Sequence, residues 1–150
     1  MSRDLADLYP PAVLEHGRRP RNRRVPMGFT HCALGEDPLC GDSITVYLRI
    51  EAGTVRDIGF DGQACALATA SASLMTEAFM GRELAHVRSV QAALRPVLAG
   101  ERPDGGAPAG TLDVLGAVAR FPSRAPCARL AWQALEAALA DAPPSSREDA

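Results

Sequence analysis

The sequence contains no lysine. All 16 basic residues among its 150 are arginine, which excludes a Schiff-base or pyridoxal-phosphate lysine and a phosphate loop ending in Gly-Lys-Ser/Thr, whatever the fold. Long apolar runs are missing too. None approaches the roughly 20 residues that cross a bilayer, and the opening MSRDLADLYPP lacks the apolar stretch of a secretory signal. A cytoplasmic protein with no membrane segment is expected. Net charge is nearly absent: 16 basic against 18 acidic residues give -2, so general binding to nucleic acid is not expected. Finally, the four cysteines, Cys32, Cys40, Cys65 and Cys127, include no CxxC pair, which excludes a zinc ribbon and a thioredoxin-like redox motif. In a reducing compartment these cysteines point to metal or sulfur chemistry rather than disulfides, and any site they share must be assembled by the fold from distant segments.

What is present fits one domain over residues 1–150. Hydrophobic residues make up 47% and charged residues 23%, near the averages of soluble globular chains with a single core. Pro10 and Pro11 suit the first turn of a short helix over residues 11–16 that ends at Gly17. Arg18, Arg19, Arg21, Arg23 and Arg24 then fall within seven residues, a segment that reads either as a solvated connector or as a docking patch for an acidic partner protein. Residues 29–34 predict a first strand. Residues 43–51 (SITVYLRIE) and 54–61 (TVRDIGFD) alternate and are joined by Ala52 and Gly53, the two-residue link of a hairpin.

Small and apolar residues recur at helical spacing over 64–80, with Gly81 placed as a cap. Residues 82–98 predict a second long helix, in which Leu84, Val87, Val90, Leu94 and Leu98 keep spacings of three and four, with Pro96 interrupting its last turn. Residues 100–110 read as a connector, 112–118 as a short helix, 126–139 as a last helix and 141–150 as a frayed tail. The expected fold is α+β: a small antiparallel three-stranded sheet packed against about four to five helices.

Three cysteines occupy similar places. Cys40 lies in a Pro-Leu-Cys-Gly-Asp turn just before the hairpin, where Gly41 frees the backbone and lets Asp42 come back toward the thiol. Cys65 follows Gly62 at a strand-to-helix junction, and Cys127 follows Pro126 at another helix start. Helix N-termini present unpaired N–H groups and a positive partial charge, which suit a sulfur nucleophile or ligand. If the loop and the two helix starts converge at one end of the sheet, Cys40, Asp42, Cys65 and Cys127 supply three sulfurs and a carboxylate. That is a tetrahedral zinc set or the ligands of a labile iron–sulfur cluster, and the residue types alone do not choose between them. The other candidates read more plainly. His31 and Cys32 sit in a strand away from these motifs, His16 packs or caps the first helix, His86 lies on a helix surface, and Trp132 anchors the last helix in the core.

The flanking residues add a family. Residues 8–22 (LYPPAVLEHGRRPRN), 37–44 (DPLCGDSI), 60–76 (FDGQACALATASASLMT) and 121–135 (FPSRAPCARLAWQAL) resemble the U-type iron–sulfur assembly proteins: IscU, SufU and the N-terminal domain of NifU. The resemblance covers nearly the whole chain, and the three cysteine motifs occur in the family's order. Residues 82–110 look like the insertion that distinguishes SufU from IscU. FPSRAP stands where IscU has its chaperone-recognition LPPVK, and Arg124 matches an Arg that SufU-type sequences keep before their last cysteine. Pro126 departs from both branches, IscU having His there and SufU usually Lys.

The resemblance implies that Cys40, Asp42, Cys65 and Cys127 hold the family's metal or cluster. It also implies a function: a zinc-bound sulfur acceptor for a SufS-type cysteine desulfurase, passing material to downstream iron–sulfur assembly or carrier proteins. In that role Cys127 would be the acceptor, Asp42 the ligand that loosens and Arg124 the cation steadying the released thiolate. The alternative implied by the IscU branch is a non-enzymatic scaffold on which iron and a transient [2Fe-2S] cluster occupy the same ligands.

Overall fold

Two segments with apolar residues at alternate positions meet across a two-residue turn, and the sheet grows from that hairpin. The protein is described here by a computed structural model covering residues 11–38, 41–98 and 125–140. Strand β2 (Asp42–Glu51) and strand β3 (Thr54–Gln63) pair antiparallel. Ala52 and Gly53 both take positive φ, 52° and 76°, as the turn that matches strand twist requires. Ile44, Val46, Leu48 and Ile50 of β2 point into the core. On β3 the inward residues are Val55, Ile58 and Phe60. The spacing of three between the first two arises where the register shifts beside Arg49 and Ile50, leaving Arg56 as an extra residue. Strand β1 (His31–Asp37) pairs with β2 and completes a sheet of order β1-β2-β3. It begins later than the alternation predicts, because Phe29 is turned onto the Tyr47 ring, 5.0 Å between centroids.

Four helices are described: α1 (Pro11–Arg18), α2 (Ala66–Phe79), α3 (Leu84–Leu98) and α4 (Ala125–Ala140). Helix α2 is the centre of the molecule. Every residue from Leu67 to Thr76 is buried, which its small side chains permit, since Ala and Ser let neighbours approach on every side. The Ser71 hydroxyl donates to the Ala128 carbonyl at 2.8 Å and accepts from the Trp132 indole N–H at 3.0 Å. Trp132 also meets Phe79 edge-on and is the core anchor expected of it. Helix α4 lies over β1 and β2, and α2 over β3.

Other boundaries also differ from those the sequence predicts. Helix α1 does not end at Gly17 but runs to Arg18. A Cβ on Gly17 would stand 3.2 Å from the Ala66 carbonyl, so this glycine serves close packing of α1 on α2 rather than a helix stop. Helix α3 starts at Leu84 rather than 82, because Arg82 and Glu83 are drawn to the sheet. The Val55 N–H donates to the Arg82 carbonyl at 2.8 Å, and Thr54 bridges Glu83. Pro96 does not break α3, which continues two residues beyond it. The predicted connector 100–110, the short helix 112–118 and the tail 141–150 lie outside the described residues. Among the described residues no helix is long and apolar enough to cross a membrane.

The arginine-rich segment crosses the outer face of the sheet. The Asn22 carbonyl accepts from the Phe60 N–H at 3.1 Å, and Gly59 lies so close beneath Arg24 and Pro26 that a Cβ there would collide with the Arg24 carbonyl. Asn22 takes φ of 63°, a conformation its side chain tolerates better than most. Its amide donates to the Thr76 hydroxyl at 3.1 Å. This connector is therefore stapled to both α2 and β3.

Candidate metal centre

The elements converge at one end of the sheet. Asp42 opens β2 directly opposite Asp37, and the Gly41 N–H donates to the Asp37 carbonyl at 2.8 Å with φ at 76°, closing the loop that presents Asp42. Across β2, Gly62 pairs with Ile44 at a φ of 141°. A Cβ there would run into the Ser43 carbonyl and stand 3.0 Å from the Ile44 Cα, so only glycine lets the end of β3 lie this close to β2 before the chain turns into α2. That approach brings Cys65 to Asp42. The Cys65 N–H donates to Oδ2 of Asp42 at 3.1 Å. Cys65 is also the N-cap of α2, its Sγ accepting from the Ala68 N–H at 3.4 Å, the place where a helix offers unpaired donors.

Cys127 comes from the other side as the third residue of α4, held down by the Ser71 bond to Ala128. One ligand atom each of Asp42, Cys65 and Cys127 lies within 4.8 Å of the others. Zinc–sulfur and zinc–oxygen bonds of about 2.3 and 2.0–2.2 Å set ligand atoms roughly 3.5–3.8 Å apart in a tetrahedron. A modest contraction of this cluster therefore suits a tetrahedral ion. Two thiolates and a carboxylate are donors that zinc or iron accepts. Asp42 and Cys65 are half-buried, and Cys127 is only 8% exposed. Cys40 and Arg124, the remaining predicted site residues, lie outside the described residues.

Beside Cys65 a recess of about 150 Å³ is lined by Val13, Leu14, Gly17, Ala66 and Leu67, with Arg18 at its rim. Cys32 is not part of the cluster. It is exposed on β1 opposite Tyr47, five residues before Asp37 and so about 17 Å along the strand from that end of the sheet. His86 is on a helix surface as expected.

His16 is 5% exposed and packs α1 onto α2. Its Nδ1 is 2.6 Å from the Ser73 hydroxyl, which already accepts from the Arg21 N–H at 2.7 Å. A neutral ring with its proton on Nε2, facing the Glu77 carboxylate at 3.5 Å, leaves Nδ1 to accept the Ser73 hydroxyl proton. Burial holds the His16 pKa below its ordinary value, and the nearby Arg21 charge adds to this against the opposing pull of Glu77 and Glu15.

Most of the arginine patch is offset internally. Arg24 pairs with Asp57 at 2.7 Å, Arg21 with Glu15 at 3.3 Å, and Arg23 reaches the Gly62 carbonyl at 3.0 Å. The hydrogen bond from Arg24 lowers the Asp57 pKa and raises that of Arg24. Sequence patterning alone does not predict these attachments or the bond from Cys65 to Asp42. The available signals were Asn22, a residue suited to positive φ, and a glycine three residues before a helix-capping cysteine.

Comparison with known proteins places this arrangement. The chain matches the NifU-like N-terminal domain over residues 8–105. It is 31% identical over 137 residues to the zinc-dependent sulfurtransferase SufU of Bacillus subtilis (strain 168), covering 91% of this chain and 92% of that one. It is likewise 31% identical over 135 residues to the iron-sulfur cluster assembly scaffold protein IscU of Streptococcus pyogenes serotype M1, covering 90% of this chain and 84% of that one. The crystal structure of a nitrogen-fixing NifU-like protein (N-terminal) from Brucella abortus superposes with a TM-score of 0.80 at 25% identity, over 97% of this chain and 99% of that chain. Matched by that family model over residues 8–105 and 31% identical to a relative across nearly its whole length, this chain belongs to the NifU-like N-terminal domain family.

Proposed function

We propose that, within iron–sulfur cluster assembly of the IscU/SufU type, this chain accepts persulfide sulfur from a cysteine desulfurase of the SufS type in the cytoplasm. Its acceptor is Cys127, in a zinc site made by Cys40, Asp42, Cys65 and Cys127. The observation that carries the reading is the approach of the Asp42, Cys65 and Cys127 ligand atoms to within 4.8 Å. Zinc bound there would keep the cysteines deprotonated yet shielded from oxidation.

Transfer is then a thiol–disulfide exchange. The Cys127 thiolate attacks the outer sulfur of the desulfurase persulfide, a new S–S bond forms at Cys127, the old one breaks, and the desulfurase cysteine leaves as thiolate with no net redox change. Because Cys127 is only 8% exposed, attack needs the site to open. With a metal bound, Asp42 would be the donor that yields, an oxygen among sulfurs being the most exchangeable ligand. Arg124 steadies the thiolate so released. The recess beside Cys65, apolar with an arginine rim, supports docking of the partner next to the ligands. Sulfur then passes to downstream assembly or carrier proteins.

A second reading is favoured by the scaffold names carried by the IscU relatives: a transient [2Fe-2S] cluster built as cargo on the same ligands. Metal analysis and the visible spectrum of anaerobically purified protein separate the two. The sulfur-acceptor reading expects about one zinc per chain and no visible absorption, with zinc lost when Cys65 and Cys127 are both changed to Ser. Iron with a visible charge-transfer band overturns it in favour of the scaffold.

A further inference from the structure

Two serines inside α2 look interchangeable and are not. Ser71 and Ser73 are both fully buried, and each hydroxyl gives one hydrogen bond and takes another. Ser73 works toward α1, donating to His16 and accepting from the Arg21 N–H. Ser71 works toward α4, donating to the Ala128 carbonyl at 2.8 Å and accepting from the Trp132 indole N–H at 3.0 Å. Alanine would meet the packing at both positions, so what the hydroxyls add is direction.

Ala128 and Trp132 stand four residues apart on α4 and therefore on one stripe of it. Holding both from a single oxygen fixes the rotation of the helix about its own axis. On the opposite stripe α4 rests on Gly35, where a Cβ would stand 3.0 Å from the Leu130 carbonyl and 3.2 Å from the Ala134 Cβ. That contact sets how near α4 lies to β1, not how it is turned. Arg129 also reaches the Leu98 carbonyl, at 3.3 Å, but through a long side chain that can follow the helix as it turns. Cys127 precedes Ala128 and so lies about 100° around the helix from it. With its Sγ about 5 Å from the axis, a turn of roughly 20° carries that atom about 2 Å. The Asp42, Cys65 and Cys127 ligand atoms lie within 4.8 Å of one another and close to about 3.8 Å around a tetrahedral zinc. A 2 Å displacement (about twice the contraction needed) thus decides whether Cys127 reaches the ion.

We propose that Ser71 is a positioning residue of the metal centre: by gripping Ala128 and Trp132 it sets the rotation of α4, and with it the approach of Cys127 to Cys65. Ser71 lies roughly 9 Å along α2 from the capping Cys65, so one helix carries both the first thiol and the clamp that aims the second. The purpose of this clamp rests on the zinc-bound acceptor reading, whereas the placement itself belongs to the metal-free chain.

Thiol pairing in the metal-free full chain reads the placement without any metal. The protein is equilibrated with mixtures of glutathione and its disulfide, the two thiols giving up two protons and two electrons to glutathione disulfide as they join. It is then alkylated and mapped for the Cys65–Cys127 bond. Ser71→Ala should lower the equilibrium constant for that bond at least about fivefold, whereas Ser73→Ala, which removes as many hydrogen bonds from the same helix, should change it less than about twofold. Zinc affinity by chelator competition should follow the same order, at least about tenfold weaker in Ser71→Ala and nearly unaltered in Ser73→Ala. Equal pairing in the unaltered and Ser71→Ala proteins, an equal fall in both variants, or zinc held as tightly without the Ser71 hydroxyl overturns the proposal. A fall in pairing confined to Ser71→Ala, in a protein whose unaltered form takes up no zinc, upholds the placement and sinks the zinc reading instead.

Discussion

Asp42 has two oxygens, and the fold uses one of them. Oδ2 accepts the Cys65 N–H, so the carboxylate seats the cysteine, and in the proposed function its other oxygen would serve a metal. The two roles separate by substitution. Asp42→Ala removes both, and in metal-free protein should cost about 1–2 kcal/mol by leaving a half-buried donor unpaired. Asp42→Asn keeps an acceptor for that donor and should cost less than half as much, yet bind zinc as weakly as the alanine variant. Denaturant unfolding of metal-free protein and a chelator competition measure the two effects. Equal destabilisation by Asn and Ala would show that the Cys65 contact does not hold the loop. The three residues that the structure brings together, Asp42, Cys65 and Cys127, were legible in the sequence because each stands at a turn or helix start marked by Gly or Pro. The bond between Asp42 and Cys65 was not, since it depends on Gly62 permitting an approach between strands that no local pattern reports.

At the level of elements, the seat of α1 on α2 is polar at its centre. His16 accepts from Ser73, and a protonated His16 could not. Its pKa is lowered in the folded protein from an ordinary value of 6.5, so the unfolded chain takes up the proton first as pH falls. The stability this neutral histidine contributes is complete above 6.5 and is lost as pH drops through that value toward the lower folded one. Thermal unfolding should show a midpoint that declines on acidification across this window. In His16→Gln the midpoint should start lower, by about 1–2 kcal/mol of lost hydrogen bonding, but decline less steeply. Parallel pH profiles for the two proteins would remove His16 from the account.

Element types followed from sequence periodicity, strands from alternation and helices from spacings of three and four. Boundaries at residues 17, 29 and 82 did not, because tertiary contacts decide them. Gly17 serves packing on Ala66, Phe29 is captured by Tyr47, and Arg82 is captured by Val55.

For the molecule as a whole, the charge that faces partners is not the charge the sequence displays. Arg21, Arg23 and Arg24 are engaged with Glu15, Gly62 and Asp57, whereas Arg18 stands at the rim of the recess beside Cys65. Docking to an acidic face of a desulfurase should therefore depend on Arg18 and its neighbour Arg19 more than on the other three. Replacing Arg18 and Arg19 with Gln should slow association several-fold at low salt, an effect fading as the Debye length shrinks toward roughly 8 Å at physiological ionic strength. Replacing Arg23 and Arg24 should leave the rate nearly unchanged. Stopped-flow association at two salt concentrations distinguishes the pairs, and equal slowing by both would return the whole segment to the role of a diffuse basic patch.

Where sulfur arrives is the centre of the account. Zinc-loaded protein is incubated with a desulfurase carrying its persulfide, quenched by alkylation, digested and weighed peptide by peptide. The Cys127 peptide should gain one sulfur atom, the Cys32 peptide none, and Cys127→Ser should take up no sulfur while Cys32→Ser accepts it normally. Sulfur found on Cys32, or equal uptake by the Cys127→Ser protein, would contradict the assignment of this site as the acceptor.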